Sequence, residues 1–278
     1  MFKRLKRLFG KSNPIVNVIR LEGVIASGRG LSAMLNAKSL ETVLVKAFRK
    51  KPAAVALAIN CPGGSPVQSA LIASRIRALA AEHNTPVYAF CEDVAASGGY
   101  WLACAADEIY ADENSIVGSI GVIAGGFGFP KALAKLGVER RVHTAGLSKS
   151  TNDPFKPEKA EDIKKLKSLL EEMHESFKAL VRSRRAGKLK AKESELFNGS
   201  YWTGVRAEKL GLVDGLGHIT PILKAKFGDK VEINDIKESK GLGARLFGMD
   251  ARHGLATEFV DLGLTALEER ALWGRYGL

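Results

Sequence analysis

The chain has 278 residues, enough for one large domain or two small ones and for a substantial buried core. Apolar residues make up 46% and charged residues 26%, the balance of a folded globular protein, which excludes a disordered or fibrous chain. The net charge of +12 is unevenly spread. Lys3, Arg4, Lys6, Arg7, Lys11 and Arg20 crowd the start with no acid among them, and Arg182, Arg184, Arg185, Lys188, Lys190 and Lys192 form a second cluster. No aromatic residue interleaves that second cluster, so it reads as a solvated face and no nucleic-acid partner is expected.

The first fourteen residues carry the positive charge of a signal peptide without its apolar centre, and nothing approaches the ~18 apolar residues of a membrane span. Phe2, Leu5, Leu8 and Phe9 have the spacing of the apolar side of a short basic helix lying on an anionic membrane surface. A disordered leader fits the same residues. Cys61, Cys91 and Cys104 are an odd number in apolar stretches and lack metal-ligand spacing, so they read as reduced core residues. The expectation is a cytoplasmic protein, with peripheral contact at the inner membrane face if the leader is the basic helix. No metal or cofactor is expected.

In chain order, Ile15–Leu21 reads as a strand that stops at Gly23. Ser39 is the expected N-cap of a helix to Arg49, with Leu40, Val43, Leu44 and Phe48 at helical spacing. Ala53–Ile59 is apolar on both faces, as in a buried parallel strand. A helix over 67–81, a strand over 87–91 and a short helix from Ser97 to Ala106 follow. Two short strands, 109–111 and 116–123, precede a helix over 130–136 and a strand over 139–143. Residues 157–185 form one long amphipathic helix, with Ile163, Leu166, Leu170, Met173, Phe177 and Leu180 along one side. Residues 202–217 bring a short helix and a turn, and 231–233 a last strand. Strands alternating with helices define an α/β fold. Residues 1–13 are set apart as a leader, and 241–278 as an arginine- and glycine-rich extension outside the main domain.

Two glycine-rich turns each follow a buried strand, where open α/β folds place their sites. In Asn60-Cys61-Pro62-Gly63-Gly64-Ser65, Gly63 and Gly64 allow positive φ and expose backbone N–H groups to a ligand. Those groups can form an oxyanion hole or a plain strand-to-helix turn. In the second turn Ser97 precedes Gly98-Gly99 at a helix start. Free N–H donors and the helix dipole favour a serine carrying developing negative charge there, although an N-cap serine fits too. A serine nucleophile needs a base. His83, His143, His174, His218 and His253 show no evident carboxylate partner; His83 and His174 read as surface residues, and His143 stays open. A lysine serves if its pKa falls from ~10.4 towards ~7–8. Lys149 is the lysine with small neutral neighbours in a loop.

Taken together, Asn60-Cys61-Pro62-Gly63-Gly64-Ser65, Ala96-Ser97-Gly98-Gly99-Tyr100, Val117-Gly118-Ser119-Ile120-Gly121-Val122, Ala145-Gly146-Leu147-Ser148-Lys149 with Asp153-Pro154-Phe155, and Trp202-Thr203-Gly204 up to Gly211-Leu212-Val213-Asp214 resemble the bacterial signal peptide peptidase A family. The resemblance covers roughly residues 15–220 and implies the fold shared by Clp proteases and crotonases, a spiral of ββα units, with residues 14–240 as the peptidase domain. It implies Ser97 as nucleophile, Lys149 as general base, and Ser119 as the hydroxyl that holds the lysine amine. The N–H groups of Gly64 or Gly63 and of Gly98 would form the oxyanion hole. It also implies a serine endopeptidase acting on peptides or unfolded polypeptides, signal-peptide remnants among them, assembled as a homo-oligomeric ring or dome. Cys61 stands where the family usually has serine, and the transmembrane anchor of many members is missing. The readings weighed against it are a phage-head maturation protease or peptide-clearing enzyme of the same family, a crotonase-like acyl-CoA enzyme, and an inactive scaffold.

Overall fold

The computed structural model describes residues 13–27, 34–146, 148–237 and 270–278. Most of the leader and residues 241–269 of the expected extension lie outside the described residues. The elements run β1 (Ile15–Glu22), α1 (Ala37–Phe48), β2 (Ala54–Cys61), α2 (Pro66–His83), β3 (Val87–Ala96), α3 (Gly98–Ala103), β4 (Glu108–Ala111) and β5 (Ile116–Gly118). They continue α4 (Pro130–Leu136), α5 (Ala160–Arg184), α6 (Glu193–Leu196), β6 (Tyr201–Thr203), α7 (Gly204–Leu210), β7 (Gly215–Leu216), α8 (Ile219–Phe227) and β8 (Glu232–Asp235).

Asn36, not Ser39, caps α1. The Asn36 side chain accepts the Ser39 N–H, and the Ser39 hydroxyl accepts the Asn36 N–H in return, so Ser39 is the third residue of a capping box. β2 is buried along nearly its whole length, as its uniform apolarity requires of a central strand. The sheet runs β6-β5-β3-β2-β1-β8. β1, β2, β3 and β8 are parallel, and among the described strands β6 alone pairs antiparallel, on β5. β3 is longer than expected and pairs twice along one edge. Residues 88–91 take β4 and residues 94–96 take β5, so the sheet turns at the end of β3, where Ser97 stands.

The core lies mainly on one face of the sheet, where Phe48, Ile72, Ile76, Tyr100 and Leu102 meet the inward residues of β1–β3. The strand expected over 139–143 does not form. Those residues are exposed apart from half-buried Val142, and no described strand lies alongside to accept a ladder. The strand expected over 116–123 stops at Gly118, because Ser119 takes φ 53° and turns the chain away. α5 forms as expected, yet only Phe177 and Val181 of it are buried; Met173 further up the stripe and Leu169 beside it are exposed. Residues 270–278 pack against the ends of β3 and β5, so this part of the expected extension belongs to the domain.

Candidate active site

β3 ends at Ala96 and the chain turns through Ser97 into α3. Ser97 adopts φ 53° and ψ −119°, a conformation that costs an L residue about 1–3 kcal/mol and persists only where its surroundings fix it. Its N–H donates to Gly118 O (2.8 Å), and its carbonyl accepts from Trp101 N–H (3.0 Å). Behind it α3 is wholly buried, and Trp101 stacks on Phe177 of α5 with centroids 4.7 Å apart. The Ser97 side chain makes no capping bond to α3, so its hydroxyl is free for other work.

The two glycine turns abut. A Cβ on Gly63 would lie 2.8 Å from Ser97 Cβ and 3.0 Å from Gly98 N. Gly64, at φ 138°, passes so close to the Ile25 backbone that a Cβ would fall 2.0 Å from its carbonyl oxygen. Ile25 secures the turn by donating to Gly63 O (2.8 Å) and accepting from Ser65 N–H (2.7 Å). The N–H groups of Gly64 and Gly98 have no acceptor among the described residues. Cys61 is buried just before the turn, and burial pushes its thiol up to about 12, which keeps it a neutral packing group.

Ser119 follows β5, is 6% exposed, and is held by its N–H donating to Ser200 O (2.7 Å). Ser97 and Ser119 line one cavity of about 320 Å³ with Gly121, His174 and Asn198. An adjoining cavity of about 240 Å³, which shares Ser97, Gly121 and Val122 with the first, is walled by Pro62, Pro66, Trp101 and Phe177. A larger open cleft of about 1350 Å³ lies by Lys46, Arg49, Lys50 and Lys51, and none of the expected site residues lines it.

The fold therefore brings together Ser97, Ser119, Gly63, Gly64 and Gly98. It does not bring Lys149 to them. Lys149 is exposed and lines neither cavity beside Ser97, and no hydrogen bond or ion pair reaches its ammonium among the described residues. It lies on an arm (residues 122–160) that folds on itself: Phe129 N–H donates to Pro154 O (2.6 Å), and Arg140 pairs with Asp153 and sits over the Phe155 ring. No residue of α4 is buried, and Phe127 and Leu136 are 81% and 75% exposed. His143 is exposed on the same arm.

Three features escaped the sequence reading. His174, expected on the surface, lines the Ser97 cavity with Nε2 3.0 Å from Ile120 O. Its position three before Phe177 and seven before Val181 puts it on the buried stripe of α5, which was the available signal. His218 does have a carboxylate partner, Asp112 at 3.3 Å, but they line a cavity that Ser97 does not border. Tyr276 and Arg275 arrive from the far end of the chain, and nothing local in the sequence marks them. Among the described residues, no group of three or more His, Cys, Asp or Glu side chains is placed to hold a metal.

A serine on a strained strand-to-helix turn, abutting a glycine turn with an unpaired N–H on a mostly parallel sheet, is an arrangement that serine hydrolases use. Residues 80–231 match the model of Peptidase family S49, and the chain belongs to that family. The Na(+)/H(+) antiporter NhaA of Brucella melitensis is 50% identical over 100% of this chain and 39% of that protein. The chloroplastic serine protease SPPA of Arabidopsis thaliana is 32% identical over 74% of this chain and 31% of that protein. The chain thus spans two fifths or less of the length of these curated relatives. The antiporter name describes the longer protein; among the described residues of this chain no helix is long and apolar enough to cross a membrane. A mutant of the 1510-N membrane-bound stomatin-specific protease in complex with a substrate peptide superposes with a TM-score of 0.54 at 17% identity, covering 84% of this chain and 96% of that one. That likeness is one of fold, the α/β fold of the Clp-protease type.

Proposed function

We propose that the chain is a serine endopeptidase that cleaves peptides or unfolded polypeptides, with Ser97 as nucleophile and Lys149 as general base. The observation that carries this is the Ser97 turn itself: an uncapped hydroxyl on a residue in a strained conformation, which borders two adjoining cavities and abuts the Gly63-Gly64 turn, whose Gly64 N–H, like that of Gly98, has no acceptor among the described residues. Neutral Lys149 takes the Ser97 proton, Ser97 Oγ attacks the peptide carbonyl, and the oxyanion is held by the Gly64 and Gly98 N–H groups. The proton passes from the lysine to the leaving amine. A water deprotonated by Lys149 then hydrolyses the acyl-enzyme.

Lys149 reaches Ser97 from a second copy. This is supported by its exposure on an arm whose apolar side chains lack cover and by the room left beside Ser119 in the Ser97 cavity. A homo-oligomer, the ring or dome expected from the sequence, would bury the arm and complete the site. The substrate peptide held by the stomatin-specific protease mutant favours a peptide substrate here, and signal-peptide remnants follow from the sequence resemblance alone. A cytoplasmic enzyme with peripheral contact at the inner membrane face fits the basic leader. Membership of the peptidase family sets the crotonase-like reading aside.

The test mixes two inactive variants. Ser97→Ala and Lys149→Ala should each abolish cleavage of an unstructured peptide, and refolding them together should restore part of it, since each chain supplies what the other lacks. No activity in the mixture, with each variant folded and assembled, would refute completion by a second copy. Normal cleavage by Ser97→Ala would refute the nucleophile.

A further inference from the structure

The end of the chain reaches this site. Residues 270–274 are helical and 275–277 turn, and Tyr276 is 7% exposed, packed against Val94 and Ala96 of β3 with Trp273 and Ile116 at the edge of the cluster. Its ring meets Tyr201 edge-on, with centroids 5.1 Å apart. This packing places the Tyr276 hydroxyl between the two loops of the site. It stands 3.3 Å from Ser119 Oγ and 3.4 Å from the carbonyl oxygen of Pro62, the residue directly before Gly63-Gly64.

The Tyr276 hydroxyl has one proton for these two contacts, and when that proton goes to Pro62 the direction of the other contact is set. The Pro62 carbonyl can only accept, so the Tyr276 O–H donates to it. The Tyr276 oxygen is left to accept, and the Ser119 O–H donates to it. Ser119 Oγ then turns its lone pairs to the cavity it shares with Ser97. A lysine acting there as base must keep its own lone pair for the Ser97 proton and can offer only N–H donors to its holder. A Ser119 hydroxyl free to rotate could instead donate to that lone pair and occupy the base.

We propose that Tyr276 is a positioning residue of the reaction: it holds Ser119 as an acceptor for the Lys149 amine and ties Ser119 to the oxyanion turn through Pro62. The inference rests on the Ser97–Lys149 reading and adds to it a residue from the last turn of the chain. Both contacts are longer than the ~2.7–2.8 Å usual for hydroxyl donors, so the effect is that of modest hydrogen bonds. The same C-terminal turn suggests the opposite effect as well, because Leu272 and Arg275 line the cavities beside Ser97 and could obstruct substrate. The buried, two-sided seat of Tyr276 favours positioning.

The experiment uses full-length Tyr276→Phe, which keeps the ring packing and removes only the hydroxyl. The expected result is a kcat for an unstructured peptide lowered about tenfold with KM within about twofold, since an interaction felt in the transition state and not in binding lowers kcat alone. The loss should vanish in a Ser119→Ala background, because the two hydroxyls act through each other. Labelling of Ser97 by a fluorophosphonate should slow in parallel, a readout that needs no knowledge of the natural substrate. An unchanged kcat, a raised kcat (the mark of an obstructing tail), or a loss that adds in full to that of Ser119→Ala would each overturn the proposal. If Ser97→Ala is inert and Tyr276→Phe behaves as wild type, this inference alone fails and the catalytic reading stands.

Discussion

Gly63 and Ser97 touch across the two turns, so closely that a single added methyl on Gly63 would stand 2.8 Å from Ser97 Cβ and 3.0 Å from Gly98 N. The glycine turn and Ser97, the proposed nucleophile, are therefore set by one contact, and Gly63 is at φ 109°, where a Cβ is strained in its own right. Gly63→Ala should lower kcat/KM by about a hundredfold or more, the scale of losing one oxyanion donor, and lower stability by about 1–3 kcal/mol. Peptide cleavage together with a thermal midpoint checks this, and a wild-type rate would break the link between the two turns.

Arg185 and Asp214 tie α5 to the β7 end of the sheet. Arg185 is 2% exposed; its guanidinium pairs with Asp214 at 2.5 Å and also donates to the Gly211 carbonyl. Burial alone would raise the Asp214 carboxyl. Hydrogen bonds from Arg185, Lys188 and the Ile109 N–H outweigh that and hold it below the ordinary carboxylate range. Asp214→Asn leaves a buried cation without its partner and should destabilise the fold by about 3–5 kcal/mol in urea. Since the folded pKa lies below the unfolded one, the pair's contribution is complete above about pH 4 and fades as pH falls through the folded value. The variant should lose that part of the acid dependence. A change under about 1 kcal/mol would mean that the pair contributes little.

Much of the fold was legible because its signals are local. Uniform apolarity marked β2 as central, and periodicity marked α1 and α5. The glycine turns were legible as well, since Gly63, Gly64 and Gly98 occupy places where a Cβ has no room. What was missed depends on contacts distant in sequence. The 139–143 segment carries a strand pattern but has no neighbour to pair with, and His174 looks like a surface residue until α5 crosses the end of β5. Tyr276 meets Ser119 across most of the chain, and no spacing rule connects them. Lys149 was found by resemblance and by elimination, and its distance from Ser97 in the single chain is what no local pattern conveys.

His174 Nε2 lies 3.0 Å from the carbonyl of Ile120, the residue after Ser119, and so braces the bend that presents Ser119 to the cavity. His174→Ala should slow turnover several-fold to about tenfold, the worth of one hydrogen bond of about 0.5–1.5 kcal/mol. His174→Gln can donate to the same carbonyl and should recover most of the rate. Equal losses in both variants would show that the imidazole acts in some way other than as a donor to Ile120.

The three cysteines give a prediction that tests the interior as a whole. Cys61, Cys91 and Cys104 are free and at most 4% exposed, and burial pushes each thiol up to about 12. The thiolate is the reactive form, so at pH 8 both access and ionisation oppose reaction in the folded protein. A disulfide reagent such as Ellman's should find almost no thiol in the native chain and three equivalents in denaturant, with slow native labelling limited by unfolding. Rapid native reaction at Cys61 would show that the Pro62–Gly64 turn opens on its own, and its N–H groups could not then be preorganised as the proposed oxyanion hole requires.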